Sequence, residues 1–383
     1  MPTSMERFDV IVAGTGGMGA AAALHLARRG VRVLGLDRFP VAHDRGSSHG
    51  QTRLIRLAYY EHPDYVPLLD RAYDLWRDLE RDSGTTLLVE SGLVMSGPPG
   101  CDLVAGARRS AREHSLALED VAPGEVRHRW PALAVPDDWA TVFEARGGHL
   151  FVEECVRAHA QAAVRAGAEL RDGVEVRGWR REGEAIRVDT DRGPIAAGRL
   201  VLCPGAWAAG LLQLPAIRFR VLRKSFFWYE PAPPHREEHA AGAMPCFACD
   251  TPAGFFYGIP RLDARGVKVS EHTRGLQVAD PLAVDRGIDA AERAAVEAFL
   301  AAHLPHAAGR LADHATCLYT MSPDSHFVVG LHPDEPQVAI AAGFSGHGFK
   351  FASVIGEVLA DLALAGTTRH PVGFLSPTRF LTA

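Results

Sequence analysis

Several features that define other classes of protein are absent from this 383-residue sequence. No apolar run approaches the roughly 18 residues that a membrane-spanning helix needs. Basic residues are not in excess, because 41 Lys and Arg are outnumbered by 46 Asp and Glu, and the net charge is −5. Neither a nucleic acid nor a membrane is therefore expected as a partner.

Cysteine is also scarce, and the six cysteines are scattered along the chain. A long chain without a dense cysteine pattern does not predict a disulfide framework. Cys246 and Cys249 have CxxC spacing. A structural zinc site needs a second pair of ligands, however, and no other pair is suitably spaced. No metal site is predicted.

The two ends of the sequence lack targeting signals of the common types. Residues 1–7 are polar and have no apolar core of the kind found in signal peptides. Residues 381–383 do not form a peroxisomal Ser-Lys-Leu tripeptide. The expected location is therefore the cytoplasm. With 47% hydrophobic and 23% charged residues, the composition is that of a globular protein long enough for two domains.

Residues 8–37 carry the strongest motif. Residues 8–13 predict a buried strand, and Gly14 to Gly19 form a GxGxxG turn. Residues 20–29 predict an alanine-rich helix, and residues 31–36 predict a second strand, which is followed by Asp37. This order is typical of a dinucleotide-binding βαβ unit, with the pyrophosphate at the helix N-terminus and a ribose at the acid. The turn alone does not separate NAD from FAD.

Two later segments extend the cofactor domain. Residues 199–207 predict a buried strand that runs into a glycine turn after a β-rich insertion, which is more common in flavin-binding proteins than in NAD dehydrogenases. Residues 338–365 predict a strand, a glycine-rich turn and a helix. The C-terminal part is therefore expected to fold back onto the cofactor domain. Lys350, close to the start of that helix, creates an anion-binding arrangement.

The remaining periodicity predicts further helices and strands. Helices are expected over residues 65–83, 103–114 and 153–166, the first of them ended by Ser83 and Gly84. Strands are expected over residues 87–96, 168–170, 174–179, 186–190, 195–197, 219–229 and 255–259. The β-rich stretches beyond residue 219 suit a substrate-binding domain with a sheet of its own.

The βαβ stretch, together with residues 49–56, 317–320 and 341–350, resembles the monomeric sarcosine oxidase and N-methyltryptophan oxidase family. These are flavoenzymes of the D-amino acid oxidase superfamily, and the similarity extends over nearly the whole chain. It implies an α/β fold in which a Rossmann-like FAD-binding domain is interleaved with a β-rich (α+β) substrate-binding domain. The implied FAD-binding segments are residues 1–87, 151–218 and 323–383, and the implied substrate-binding segments are residues 88–150 and 219–322.

The resemblance also implies how the cofactor is held. FAD is expected to be covalently bound through a thioether between Cys317 and the flavin 8α-methyl group. The expected cofactor-binding residues are Gly14, Gly16, Gly17, Met18, Gly19, Asp37, Arg38, Ser47, Ser48, Thr52, Cys317, Gly346, Gly348 and Lys350.

A substrate site is implied by the same resemblance. Arg56 and Lys350 are expected to hold the carboxylate of the substrate. A guanidinium can pair with a carboxylate through two N–H groups, and an ammonium adds a point charge. Tyr257 and His272 are expected on the amine side of the substrate, and Tyr319 is expected close to the flavin.

Three basic residues are expected near the flavin ring. His49 and Arg53 would supply positive charge that stabilises the reduced, anionic flavin. Lys268 would promote the reaction with oxygen by hydrogen bonding, through a water molecule, to flavin N5. The expected catalytic set is completed by Tyr257, His272 and Tyr319.

The implied function is oxidation of sarcosine or a similar N-methyl amino acid by a monomeric FAD enzyme that uses oxygen. The products would be the primary amino acid, formaldehyde and hydrogen peroxide. Two alternatives stay open: an FAD oxidase of a bulkier N-methyl amino acid or a cyclic imino acid such as pipecolate or proline, and a flavin-binding subunit without turnover. Residues 246–251 are expected to line the pocket, where the small Ala248 leaves the size of the substrate undecided.

Overall fold

The computed structural model describes residues 5–381. The predictions that rest on residues 1–4 and 382–383, at the two ends of the chain, lie outside that range. Within it, no helix is both long and apolar enough to cross a membrane.

The strands of the described range are, in chain order, Arg7–Ala13 (β1), Val33–Leu36 (β2), Thr52–Ile55 (β3), Leu88–Val89 (β4), Leu93–Gly97 (β5), Glu119–Asp120 (β6), Ala140–Glu144 (β7), Gly148–Phe151 (β8), Glu169–Arg171 (β9) and Val176–Glu182 (β10). They continue with Ala185–Thr190 (β11), Gly193–Leu202 (β12), Arg220–Glu230 (β13), Cys246–Thr251 (β14), Gly254–Ile259 (β15), Val267–Glu271 (β16), Leu276–Val278 (β17), Arg310–Met321 (β18), Val328–His332 (β19) and Glu335–Ala342 (β20). The α-helices are Gly17–Ala27 (α1), Val66–Ser83 (α2), Asp102–His114 (α3), Pro123–Arg129 (α4), Val152–Arg165 (α5), Ala208–Leu211 (α6), Ala290–His303 (α7) and Ala352–Ala365 (α8).

The first sheet has a parallel centre. Its parallel strands follow the order β9-β2-β1-β12-β20, and β19 is antiparallel to β20. The hairpin β10–β11 pairs with the first half of β12. Val10 of β1 pairs with Val33 on one side and Arg199 on the other, so β1 lies inside the sheet. The βαβ unit therefore occupies the middle of the domain.

Helices α1, α5 and α8 pack together on one face of this sheet. Helix α1 is rich in alanine because its neighbours approach closely. A Cβ at Gly356 of α8, for example, would lie 2.5 Å from the Cβ of Ala21 in α1. This tight packing holds the N-terminus of α1 in place at the edge of the glycine-rich turn.

The second sheet is mostly antiparallel. Its order is β17-β13-β16-β15-β14-β5-β7-β6, and β18 pairs along the whole length of β13. Helix α7 covers one face, where the rings of Phe256 and Phe299 stack with centres 4.4 Å apart. Because side chains alternate along a strand, Tyr257 and Lys268 point to the opposite face. A small third sheet, β3-β8-β4, lies between these layers and carries Arg53.

The mixed α/β class and the N-terminal βαβ unit are confirmed, as is the return of the C-terminal segment to the first sheet. The predicted strand over residues 87–96 is wrong. Gly92, with φ +81°, interrupts it, and the two pieces, β4 and β5, belong to different sheets. Residues 193–202 form one strand where two were expected. The division into five domain segments, with boundaries at residues 87, 150, 218 and 322, stays a proposal.

Candidate functional site

The glycine-rich turn between β1 and α1 opens onto a large cavity. Gly14 has φ +91°, and a Cβ there would lie 2.2 Å from the carbonyl oxygen of Cys203. A Cβ at Gly19 would lie 1.7 Å from the carbonyl oxygen of Gly14. At Gly16, by contrast, the nearest atom would be the Ser48 hydroxyl, 3.8 Å away. Gly14 and Gly19 are therefore required by packing, whereas Gly16 leaves room for a ligand to approach the backbone.

The cavity has a volume of about 750 Å³ and extends from this turn to strand β18. Most of the expected cofactor-binding residues line it: Gly14, Gly16, Gly17, Met18, Gly19, Asp37, Arg38, Ser47, Ser48, Gly346 and Gly348. The other three, Thr52, Cys317 and Lys350, are not among its lining residues.

Asp37 follows β2 and faces the cavity. One of its carboxylate oxygens accepts a hydrogen bond from the Thr15 N–H at 2.8 Å, and the other accepts one from the Phe39 N–H at 2.9 Å. These bonds hold the acid at the carboxyl end of β2, where a ribose can reach it. Arg38 pairs with Glu175 at the same end of the cavity.

The loop that precedes β3 forms a side of the same cavity. The Ser48 hydroxyl accepts a hydrogen bond from the Gly17 N–H at 3.3 Å. The Ser47 hydroxyl donates to the Leu318 carbonyl, and Arg53 donates to the Ser47 carbonyl at 2.8 Å. The loop thus connects the N-terminus of α1 with strand β18.

Cys317 is fully buried in β18, next to the cavity. Residues 318–320 line the cavity, whereas Cys317 packs in a cluster with Phe226, Trp228 and Tyr319. Burial raises the pKa of the Cys317 thiol, and the nearby cations Arg53 and Lys268 counteract part of that rise. Cations close to a thiol favour the thiolate, which is the reactive form.

Lys268 is buried between the second sheet and the loop before β3. Its Nζ donates to the carbonyls of Gly50 and Thr52 at 2.5 and 2.8 Å and lies 3.3 Å from the Thr52 hydroxyl. Three acceptors match the three N–H donors of an ammonium group. Burial, together with the charge of Arg53, lowers the pKa of Lys268. Thr52 therefore contacts Lys268 and is not among the residues that line the large cavity. Its expected contact with the cofactor stays a prediction.

His49 lies buried near Arg53. Burial and the charge of Arg53 lower its pKa to about 4. A lowered pKa favours the neutral form of His49, so it does not support the expectation that this residue supplies positive charge, and the role of His49 stays a prediction. Arg53 lines the cavity and is a second source of that charge.

A second cavity, of about 50 Å³, adjoins the first, because three residues line both: Arg53, Gly346 and Phe349. Arg56 and Lys350, the expected carboxylate-binding pair, are brought together on its wall. Nη2 of Arg56 contacts the two carboxylate oxygens of Glu61 at 2.8 and 2.9 Å. Nζ of Lys350 donates to the carbonyl of His347 at 2.7 Å.

These charges leave the small cavity suited to an anion. Burial lowers the pKa of Lys350, and the neighbouring charge of Arg56 adds to this effect. Burial raises the pKa of Glu61, but Arg56 more than offsets it, so the carboxyl group stays ionised. With Arg56 and Lys350 protonated and Glu61 ionised, these three side chains together carry a net charge of one positive unit. A bound carboxylate would neutralise it.

The residues expected near the amine also line the small cavity. Nδ1 of the His272 ring lies 3.3 Å from the hydroxyl of Tyr319. The backbone N–H of His272 donates to the backbone carbonyl of Phe255 at 2.7 Å. The ring of Tyr257 is 6.2 Å from that of His272, at a steep angle. Burial, followed by the charge of Lys224, lowers the pKa of His272 to about 3, so its ring is neutral.

Sequence reasoning missed six other residues of this cavity, namely Leu54, Tyr60, Glu61, Phe255, His347 and Phe349. Glu61 and His347 lie close in sequence to Arg56 and Lys350, and that proximity is the signal that could have found them. The expectation for residues 246–251 is wrong. They form β14, the neighbour of β15, and none of them lines the small cavity, which Tyr257 of β15 does.

Four buried polar atoms of residues that line the two cavities have no hydrogen-bond partner within the described part of the chain: Arg38 Nη1, Arg56 Nε, Tyr257 Oη and Thr320 Oγ1. Buried polar groups without partners are rare, because leaving them unsatisfied costs free energy. Arg56 and Tyr257 line the small cavity, and Arg38 and Thr320 line the large one. The residues therefore fit a dinucleotide in the large cavity and a small polar molecule in the small one.

This fold and this pair of cavities define a flavin-dependent oxidoreductase. Residues 9–362 match the family model described as FAD dependent oxidoreductase, and the chain belongs to that family. FAD, the expected cofactor, is thereby confirmed, whereas its covalent attachment to Cys317 stays a prediction.

Relatives within the family are similar over nearly their whole length. The chain is 42% identical to the monomeric sarcosine oxidase of Streptomyces avermitilis, with 98% of each chain covered. It is 34% identical to the N-methyl-L-tryptophan oxidase of Shigella dysenteriae, with 93% of this chain and 95% of the relative covered. The solved structure of NikD, an unusual amino acid oxidase essential for nikkomycin biosynthesis, has a TM-score of 0.84 at 25% identity and covers 97% of this chain and 98% of its own.

Proposed function

We propose that this protein oxidises sarcosine or a similar N-methyl amino acid to the primary amino acid, formaldehyde and hydrogen peroxide. The observation that carries the proposal is the small cavity beside the cofactor cavity, with Arg56 and Lys350 on its charged side and His272 and Tyr257 on the other. The similarity to proteins named monomeric sarcosine oxidase and N-methyl-L-tryptophan oxidase supports it. We further propose that the protein acts as a monomer. A cytoplasmic location stays a prediction.

Arg56 and Lys350 are proposed to hold the carboxylate of the substrate. The guanidinium has an Nε–H without a partner in the described part of the chain. With Lys350 protonated, Arg56, Lys350 and Glu61 together carry an excess of one positive charge that a carboxylate would balance. Fixing the carboxylate also fixes the distance from it to the amine, since both groups are bonded to the same carbon. The substrate is thereby oriented with its nitrogen on the side of His272.

His272 and Tyr257 are proposed to face the amine. A neutral imidazole can accept a hydrogen bond from the substrate N–H without adding charge to the site. The unpartnered hydroxyl of Tyr257 offers a second polar contact. No strong general base is needed if the amine binds in its neutral form.

When bound, FAD supplies the two-electron oxidant for the C–H bond next to the nitrogen and returns the electrons to oxygen. We propose that Cys317 anchors it through a thioether, that Arg53 stabilises negative charge on the reduced ring, and that Lys268 assists the reaction with oxygen. Hydrolysis of the resulting imine by water gives formaldehyde and the primary amino acid.

A substrate panel tests the proposal. Purified protein is mixed with sarcosine, N-methyl-L-alanine, N-methyltryptophan, pipecolate and proline, and hydrogen peroxide is measured. Peroxide from N-methyl amino acids with release of formaldehyde supports the proposal, whereas turnover of pipecolate or proline alone would assign a cyclic imino acid as the substrate. Flavin absorbance that does not bleach with any of these compounds under argon would indicate a flavin-binding protein without turnover.

A further inference from the structure

The wall of the small cavity has two chemically different sides. The charged side contains Arg53, Arg56, Glu61 and Lys350 next to His347, whose pKa burial lowers to about 4, and the apolar side includes Leu54, Tyr60 and Phe255. A carboxylate that binds on the charged side leaves the rest of the substrate against the apolar side. The apolar residues are therefore the ones that the carbon skeleton of the substrate meets.

Tyr60 and Phe255 are two aromatic residues of that apolar side. Their rings stack, with centres 5.7 Å apart and planes inclined by 22°. Stacked aromatic pairs at this distance are favourable beyond the area that they bury. The pair joins the segment after β3 to strand β15, so it links two parts of the chain that are distant in sequence. We call these two side chains the aromatic wall.

The aromatic wall extends from one end of the substrate site to the other. The ring of Tyr60 lies 5.1 Å from the guanidinium carbon of Arg56, at the carboxylate end. The ring of Phe255 lies 5.4 Å from the ring of His272, at the amine end. In an amino acid, the carbon between these two groups is Cα. The wall therefore lies alongside the position of Cα, where an amino acid carries its side chain.

We propose that Tyr60 and Phe255 determine substrate specificity by limiting the substituent on Cα to hydrogen or a very small group. This inference rests on the proposed function. The small size of the cavity supports it, because its volume of about 50 Å³ is far below the 750 Å³ of the cofactor cavity. A benzyl or indolyl group on Cα would extend towards the rings of Tyr60 and Phe255, which line this cavity. This restriction assigns the preferred substrate class as unbranched N-methyl amino acids.

Phe255→Ala tests the proposal by a gain of activity, which damage to the fold does not produce. The measured quantity is the ratio of kcat/KM for N-methylphenylalanine, with both enantiomers assayed, to kcat/KM for sarcosine. Removing the ring is expected to raise this ratio at least about tenfold, since a few carbon atoms in an apolar pocket change specificity by that order. Tyr60→Ala is expected to raise it in the same direction.

Phe256→Leu is the matched control. Phe256 is the next residue of β15, but its ring points to the other face of the sheet and stacks on Phe299. This substitution perturbs the same strand without touching the small cavity, so the ratio is expected to stay within about twofold of the parent.

Binding provides a readout that is independent of turnover. Calorimetry compares methylthioacetate with its α-benzyl derivative, which has the same carboxylate and methylthio groups and adds a ring at Cα. The parent is expected to bind only the smaller acid tightly. Phe255→Ala is expected to reduce the ratio of the two dissociation constants at least about tenfold.

Two results would overturn the inference. One is a parent protein that oxidises or binds the bulky compound as well as the small one. The other is an unchanged ratio in both Phe255→Ala and Tyr60→Ala. If the parent oxidises no N-methyl amino acid at all, the proposed function fails, and the calorimetric comparison still decides whether the aromatic wall limits ligand size.

Discussion

Replacement of Arg56 by Met is the sharpest test of the substrate site, because the guanidinium is buried and already paired. Its Nη2 lies 2.8 and 2.9 Å from the two carboxylate oxygens of Glu61. Removing one partner of a buried, hydrogen-bonded charge pair costs about 2–5 kcal/mol of binding free energy. At about 1.4 kcal/mol per factor of ten, a carboxylate inhibitor such as methylthioacetate is expected to bind roughly 30- to 5,000-fold more weakly.

The same substitution also affects folding, and the two effects have to be separated. Without Arg56, the Glu61 carboxylate stays buried and loses the cation that lowers its pKa. Leaving a buried charge uncompensated destabilises a protein by roughly 3–5 kcal/mol. The single variant is therefore expected to unfold at a lower temperature. The double variant Arg56→Met/Glu61→Gln removes both charges and is expected to recover most of that stability.

The double variant also separates direct contact from the electric field. With Lys350 protonated, the parent cluster carries a net charge of one positive unit, the single variant carries none, and the double variant carries one again. If Arg56 contacts the carboxylate directly, the double variant still binds at least about 30-fold more weakly than the parent. If only the net charge matters, the affinity returns.

Calorimetric titration with methylthioacetate measures the affinity, and thermal unfolding measures the stability. Arg81→Met is the matched control, since Arg81 is an exposed arginine of α2 and its removal is expected to leave the affinity unchanged. Binding by the double variant within about threefold of the parent would refute direct contact between Arg56 and the substrate carboxylate.

Three other predictions concern the cofactor and stability. Parent protein precipitated with acid should stay yellow, whereas the Cys317→Ser variant should release its flavin into the supernatant. A parent protein that also releases its flavin would contradict covalent attachment. The flavin of Lys268→Met should still be reduced by substrate under argon, but the reduced flavin should react with oxygen at least about 100-fold more slowly in stopped-flow mixing. A cation about 4 Å from a developing anion contributes roughly 4 kcal/mol at an effective dielectric near 20. A reoxidation rate within threefold of the parent would place oxygen activation on another residue. Burial lowers the pKa of His25 to about 4 and that of His159 to about 3, below the value of about 6.5 in an unfolded chain. The unfolded state therefore binds protons first as the pH falls below about 6.5, so the melting temperature should drop between pH 6.5 and pH 4; a constant or rising melting temperature would contradict this.

Elements that depend on residues close together in the sequence could be predicted from the sequence. The order of strand, GxGxxG, helix, strand and Asp37 specifies its own turn, because Gly14 and Gly19 are needed wherever that turn packs against that helix. The helices α3, α5 and α8 were also predictable, because the apolar periodicity of each one lies within its own residues. The strand predicted over residues 87–96 failed because a single glycine, Gly92, redirects the chain between two sheets.

The expected site residues came from short motifs that resemble a known family, and their spatial arrangement came from the fold. Arg56 precedes Lys350 by almost 300 positions, yet both line a cavity of about 50 Å³. Strand β16, which carries Lys268, was not predicted. The first four of its five residues alternate apolar and polar side chains over a length too short for a clear strand signal, and the burial of Lys268 and Ser270 is visible only in the structure.

The sequence by itself determined the dinucleotide unit, the class of cofactor and the residue types that can bind a carboxylate, because these depend on residues that are neighbours in the chain. Only the tertiary structure decided that Glu61 pairs with Arg56, that burial lowers the pKa of His49, and that Tyr60 stacks on Phe255 beside the proposed substrate site. Those properties depend on burial and on contacts between strands and loops that are far apart in sequence. Such contacts form only when the two sheets pack against each other.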